Sequence, residues 1–285
     1  MAVSFDNLKK DFWKGEYKGQ EYVFNDKGIE IAICRAIRDF TFRTEKRVEE
    51  SVAVIEKVTE EVMFEKLNTS GFVKGFIDYF HAPAKDKAGF DKWHKKMCNN
   101  FLDALSDIYQ NLAYGKAQKI VNMTFKNAYC LPDDKNSEIK KDDAYFKYCH
   151  MPLDRFTLEW FKRNIKVRGK NIDAWSKLQS EDTLKDDKKY TYEEITNAIR
   201  NYFNSEENMQ DYLKGLTPFQ AEFFIWKYIQ FEEAAESIYK AMTSFDGLEK
   251  NELKKEINNF KAKNINDKLD FLHEKFNGVK KYKLT

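Results

Sequence analysis

Chemistry in this chain would sit first on two segments, Gly115-Lys-Ala-Gln-Lys-Ile-Val-Asn122 and Pro152-Leu-Asp-Arg-Phe-Thr-Leu158. In the first, a glycine lets the backbone come close to a ligand. A helix starting there would aim free N–H groups and the positive end of its dipole at an anion. Lys116 and Lys119 would add charge beside it. In the second, Asp154 opens a helix. A carboxylate in that place caps the helix through backbone amides, or stands beside an anomeric carbon and supports an oxocarbenium-like state. The following run carries Arg155, Lys162, Arg163, Lys166, Arg168 and Lys170 against one acid, Glu159. Tyr145, Phe146, Tyr148, Phe156, Trp160 and Phe161 flank it. Interleaved rings and cations suit nucleic acid, because rings stack on bases while cations meet phosphates. Core packing with a basic rim accounts for the same letters.

The remaining reactive residue types are less organised. Cys34, Cys98, Cys130 and Cys149 lie far apart with no Cys-x-x-Cys. Cys149-His150, with His81, His94 and His273 elsewhere, matches no familiar tetrahedral spacing. The reading therefore calls for no metal and no cofactor. A phosphate-binding glycine-rich motif, His-Glu-x-x-His and Gly-x-Ser-x-Gly are all missing, which argues against nucleotide hydrolases and serine esterases.

Together, Gly115–Asn122 and Pro152–Leu158 resemble the helix-hairpin-helix DNA glycosylases. In that family a Leu-Pro-Gly-x-Gly hairpin leads into a helix that grips DNA phosphates. An Asp further on starts the next helix and serves as the catalytic carboxylate. The resemblance implies Gly115 as the second hairpin glycine and Asp154 as that carboxylate. Ala113 stands where the first glycine belongs, and Ala117 where bifunctional members carry a lysine. The implied enzyme is monofunctional and uses water to cut a base–sugar bond, with the base turned out of the stack. Gly115, Lys116 and Lys119 would hold the DNA backbone, and Arg155, Lys162, Arg163 and Lys166 would supply the electrostatic footprint. The residues themselves leave a second reading open, a non-catalytic helical module that presents aromatic helices to a protein partner.

The elements that must position these residues are helices. Only 4 Pro and 11 Gly interrupt 285 residues. A hydrophobic share of 42% with 34% charged residues marks a folded chain with a highly charged surface. The net charge of +2 neither points to nucleic acid nor excludes it. Tyr22, Val23 and Phe24 suit a short strand or hairpin arm within 18–24. Apolar residues recur at helical spacing over 29–40, 48–67, 73–80, 93–112 and 116–129. Gly115 is expected to close the fourth of these helices. Capping boxes appear at Thr191–Glu194, Thr217–Gln220 and Asp246–Glu249. The aromatic stretch 219–242 reads as a central buried helix, and 132–147 as a polar surface loop. The predicted architecture is mostly α, one compact multi-helix domain over 1–285. A weak composition shift near 168–191 would divide it into two lobes, and a short β element stands near the N-terminus. Neither a secretory leader nor a membrane span is apparent. The expectation is a cytoplasmic protein with reduced thiols, DNA as candidate partner, and no membrane contact.

Overall fold

Several helices in this chain begin where a side chain satisfies the first free backbone amides. The computed structural model describes residues 5–39, 58–165, 169–205 and 209–245, with a few more between 252 and 260. After helix α1 (Phe5–Phe12), Asn25 accepts from the Gly28 amide at 2.9 Å and opens α2 (Asp26–Arg38). Thr59 and Asp86 cap α3 (Glu60–Thr69) and α5 (Lys87–Ala104) in the same way, with α4 (Phe72–His81) between them. Helices α6 (Tyr114–Cys130) and α7 (Arg155–Asn164) follow. Thr191 and Glu194 exchange bonds of 3.1 and 2.9 Å at the start of α8 (Tyr192–Ser205). Thr217 and Gln220 do so at 3.2 and 3.1 Å before α9 (Pro218–Phe245). These two boxes stand where the sequence places them, while Asp246–Glu249 lies outside the described residues.

The protein is mostly α, with a single antiparallel pair among the described residues, β1 (Glu16–Tyr17) and β2 (Gln20–Glu21). The pair is shorter than the expected arm and begins earlier. Phe24 leaves it, and its amide donates to the Pro132 carbonyl at 2.8 Å, which ties the start of α2 to the 132–147 loop. The stripe from Trp93 to Leu112 does not form one helix. α5 ends at Ala104, and Ile108 and Tyr109 bury themselves in the turns that follow. Gly115 closes nothing. It lies in the first turn of α6.

The central place belongs to α6 and not to the aromatic stretch 219–242. From Tyr114 to Tyr129, every α6 residue except Lys119 is buried. The helix packs on α2, α5 and α1. Phe125 shows the character of this core: Phe76, Tyr79, Phe80, Phe90 and Trp93 place their rings 5.2 to 5.8 Å from its own. Edge-on and tilted contacts of this kind let rings fill space without stacking face to face. The 24 Phe are thus largely a packing feature. α9 buries Phe219, Phe223, Ile225 and Ile229 from its first half but leaves Phe231 exposed. Among the described residues, no helix is long and apolar enough to cross a membrane.

One ion pair crosses this interior. Lys126 of α6 and Glu222 of α9 meet at 2.5 Å, both side chains almost wholly buried. The rings of Phe12 and Phe223 stand 4.0 and 4.6 Å from the ammonium. Burial raises the Glu222 pKa, and Lys126 opposes that shift. Removing one partner leaves the other charge uncompensated. Glu222→Ala should therefore lower the unfolding free energy by roughly 3–5 kcal/mol in urea titration, while the double change Lys126→Met with Glu222→Leu returns it close to wild type.

Candidate functional site

The predicted segments do meet in space. Gln118 on the first turns of α6 donates to the Gly115 carbonyl at 2.9 Å and to the Leu153 carbonyl at 3.0 Å, so one side chain links the glycine turn to the residue before Asp154. Yet the glycine is not open to a ligand. Its N–H donates to the Leu178 carbonyl at 2.8 Å. A Cβ at this position would stand 1.8 Å from the Trp175 carbonyl oxygen. Glycine is needed here because a second chain segment lies on the helix start. Lys116 is buried beneath it, its ammonium 5.2 Å from the Trp175 ring.

Asp154 is the α7 cap. Its Oδ1 accepts from the amides of Phe156 and Thr157 at 2.9 and 3.0 Å, and Thr157 Oγ1 accepts from the Asp154 amide in return. Among the described residues its Oδ2 receives no hydrogen bond. Lys119 is half-buried over the Trp175 ring at 4.3 Å and feels the charge of Asp154. Burial lowers its pKa, and Asp154 leads the charges that oppose the shift. Two residues of the expected footprint are already paired. Arg155 makes a two-pronged bond to Glu233 at 2.8 Å on each arm, and Arg163 binds Glu159 and Glu232. Lys162 is exposed, and Lys166 lies outside the described residues. Arg155, Arg163 and the Gly115 N–H thus all have their donors engaged within the chain.

A second region carries more organised polar chemistry. From Gln118 the network runs inward. Asn122 Nδ2 donates to Gln118 Oε1 at 2.9 Å and to the Tyr192 hydroxyl at 3.0 Å. His150 lies between Tyr192 on Nδ1 and Asp91 on Nε2, each at 2.8 Å. Asp91 in turn takes both arms of Arg200 at 2.8 Å. Arg200 also donates to the Tyr148 carbonyl at 2.9 Å. On the other side, Asn122 Oδ1 pairs with His94 Nε2 at 2.9 Å, and Cys98 Sγ lies 3.7 Å from His94 Nδ1.

The proton arrangement follows from the carboxylate end. Asp91 is held well below the usual carboxylate range. Burial pushes its pKa up, but the hydrogen bonds and charge of its partners outweigh that. An ionised Asp91 only accepts, so His150 Nε2 donates to it. A neutral His150 then accepts on Nδ1 from the Tyr192 hydroxyl, and Tyr192 accepts from Asn122. His94 donates to Asn122 and receives the Cys98 thiol. Burial lowers the His150 pKa to about 4 and the His94 pKa well below its ordinary value, so both imidazoles stay neutral at pH 7. Burial raises Tyr192 strongly. Asp91–His150–Tyr192 has the order of an acid–base relay, with a neutral imidazole held between a carboxylate and a phenol whose pKa burial raises.

This network backs a cleft of about 370 Å³ between α5 and α8. Asp91, Lys92 and Lys95 line one side, and Glu193, Asn197 and Arg200 the other. The spacing of Cys149-His150 matches no familiar site, and nothing local in the sequence marks Asp91, Tyr192 or Arg200. A signal was present: Gln118 and Asn122, four apart on a helix that is otherwise largely apolar, require buried polar partners.

No family model matches the chain, and no solved structure matches it. A stretch of 145 residues, 49% of this chain, is 28% identical to the membrane-associated protein TcaA of Staphylococcus epidermidis. The match spans about a third of that protein's length.

Two measurements check this geometry. His150 and His94 bind protons in the unfolded chain near pH 6.5 but not in the folded one, so stability should fall as pH drops below about 6.5. The His150 part levels off near pH 4 and amounts to roughly 3 kcal/mol. Urea midpoints between pH 7 and 4 should show this slope, reduced in His150→Gln. At Asp154, Asn is as good a cap as Asp. Asp154→Asn should keep the melting temperature close to wild type, whereas Asp154→Ala should cost about 0.5–2 kcal/mol.

Proposed function

We propose that this protein is a helical ligand-binding module, and that the cleft between α5 and α8 takes a small polar molecule without transforming it. One observation carries the reading. The wall of the cleft is built from Asp91, His150, Tyr192 and Arg200, whose hydrogen bonds are fixed from behind by Asn122 and the Tyr148 carbonyl. Polar groups held in this way make a rigid wall that loses little conformational freedom when a ligand seats against it, which favours affinity. The volume lies at the lower end of the ~300–1,000 Å³ range of small-molecule sites. The four free cysteines support a reducing compartment such as the cytoplasm.

A nucleic-acid reading retains one observation in its favour. Asp154 keeps one oxygen free beside Lys119, as a carboxylate acting on a base–sugar bond would require. It has little electrostatic support, because Arg155 and Arg163 are bonded to acids of the same chain.

The test uses thermal shift with a panel of sugars, nucleosides, polyamines, carboxylic acids and amino acids. A cleft ligand at 100 times its dissociation constant should stabilise the fold by about 2.7 kcal/mol. Asn197→Trp, which places a large ring over the cleft from an exposed position, should abolish that shift while preserving the helical circular dichroism. Duplex DNA should bind weakly, with a shallow dependence on salt. A steep salt slope together with base release that Asp154→Asn abolishes would replace this reading with the enzymatic one.

A further inference from the structure

The charges of the cleft do not all have partners. Arg200 and Asp91 form a closed pair, with each guanidinium arm on a carboxylate oxygen. Lys95 lies between Glu181 and Asp182 at 3.1 and 2.7 Å. Two ionisable residues of the lining remain incompletely partnered. Glu193 uses one carboxylate oxygen to accept from the Glu181 amide at 3.0 Å, and the other is shielded from water with no hydrogen-bond donor from another described residue. Lys92 is exposed, with neither a hydrogen bond nor an ion pair among the described residues. Asn197, one turn beyond Glu193 on the same face of α8, has an uncommitted side-chain amide. The cleft therefore offers one acid, one base and one neutral donor–acceptor on a wall whose other charges are paired with one another.

We propose that the cleft binds a zwitterion of the free amino acid class, its ammonium on Glu193 and its carboxylate on Lys92 with Asn197 alongside. This rests on the ligand-binding reading above and adds the chemistry of the ligand. A neutral ligand can donate to the second Glu193 oxygen but brings no charge to Glu193 or Lys92, and hydrogen bonds between ions are roughly twice as strong as neutral ones. The last torsion of a glutamate side chain is broad, so a small turn presents that oxygen to the cleft. A purely cationic ligand would satisfy Glu193 but meet Lys92 as a like charge. A purely anionic ligand would suit Lys92 but approach Glu193. Only a molecule with both charges complements both groups. Burial raises the Glu193 pKa, in keeping with a carboxyl that lacks a full set of donors.

The test is calorimetry of the whole chain at pH 7 with three matched probe series: free amino acids, their C-terminal amides, and the corresponding 2-hydroxy acids. At least one free amino acid should bind saturably, and its amide and hydroxy acid at least tenfold more weakly. Glu193→Gln should bring the amino acid down to the hydroxy acid, and Lys92→Met should bring it down to the amide. Both residues lie at the cleft surface, and circular dichroism will verify that the variants fold. If an amide or hydroxy acid binds as tightly as its amino acid, or if another class of the thermal-shift panel binds at the cleft and amino acids do not, the zwitterion proposal falls and the ligand-binding reading stands. If no compound of either experiment binds the wild type, both fall.

Discussion

Two amide side chains on one helix, Gln118 and Asn122, hold the polar interior of this protein in register. Each lies at the centre of an aromatic core and has no access to water. Their donors and acceptors must therefore be met by protein. Gln118 meets the backbone at Gly115 and Leu153, and Asn122 meets Tyr192 and His94. In doing so they fix how α6 sits against the start of α7, the start of α8 and the middle of α5. Apolar contacts tolerate sliding, whereas a chain of directed hydrogen bonds loses a partner as soon as one helix shifts. The cleft inherits its shape from that constraint, because Asp91, His150 and Tyr192 all stand at the outer end of the same chain.

The sequence shows the helices more clearly than the site because the two depend on different ranges of interaction. Caps are local: Asn25, Thr191 and Thr217 act within three residues, and their effect can be read from spacing. Apolar periodicity is nearly local, and it located α2, α4 and α6 well. It failed at Ala104, where the stripe continues through Ile108 but the chain turns to bury it. The site joins residues 91, 122, 150, 192 and 200, drawn from three helices and a loop. No spacing rule connects them.

Charge misled for a related reason. Between Arg155 and Lys170 the sequence is strongly basic, but sequence order does not reveal what lies across from a helix. The acids that answer Arg155 and Arg163 are Glu233 and Glu232, far along the chain on α9. Lys116 and Lys126 are buried altogether. A basic stretch becomes an electrostatic footprint only when its partners are absent from the fold, and here Arg155, Arg163 and Lys170 have theirs.

The turn at Gly115 makes the same point with backbone in place of side chains. A glycine at a helix start with lysines close by is what an anion site requires, because N–H groups there have no helical acceptor. The requirement is for an acceptor, not for a phosphate. The carbonyl of Leu178 supplies it, and the missing Cβ admits the Trp175 carbonyl against the helix. Close approach of backbone to backbone and of backbone to phosphate make the same demand on residue type, so the glycine alone cannot separate them. What separates them is whether another segment of the chain reaches the turn, and here residues 175–178 do. The polar capacity left open lies one helix away, at the cleft behind which Asn122 fixes Tyr192 and His150.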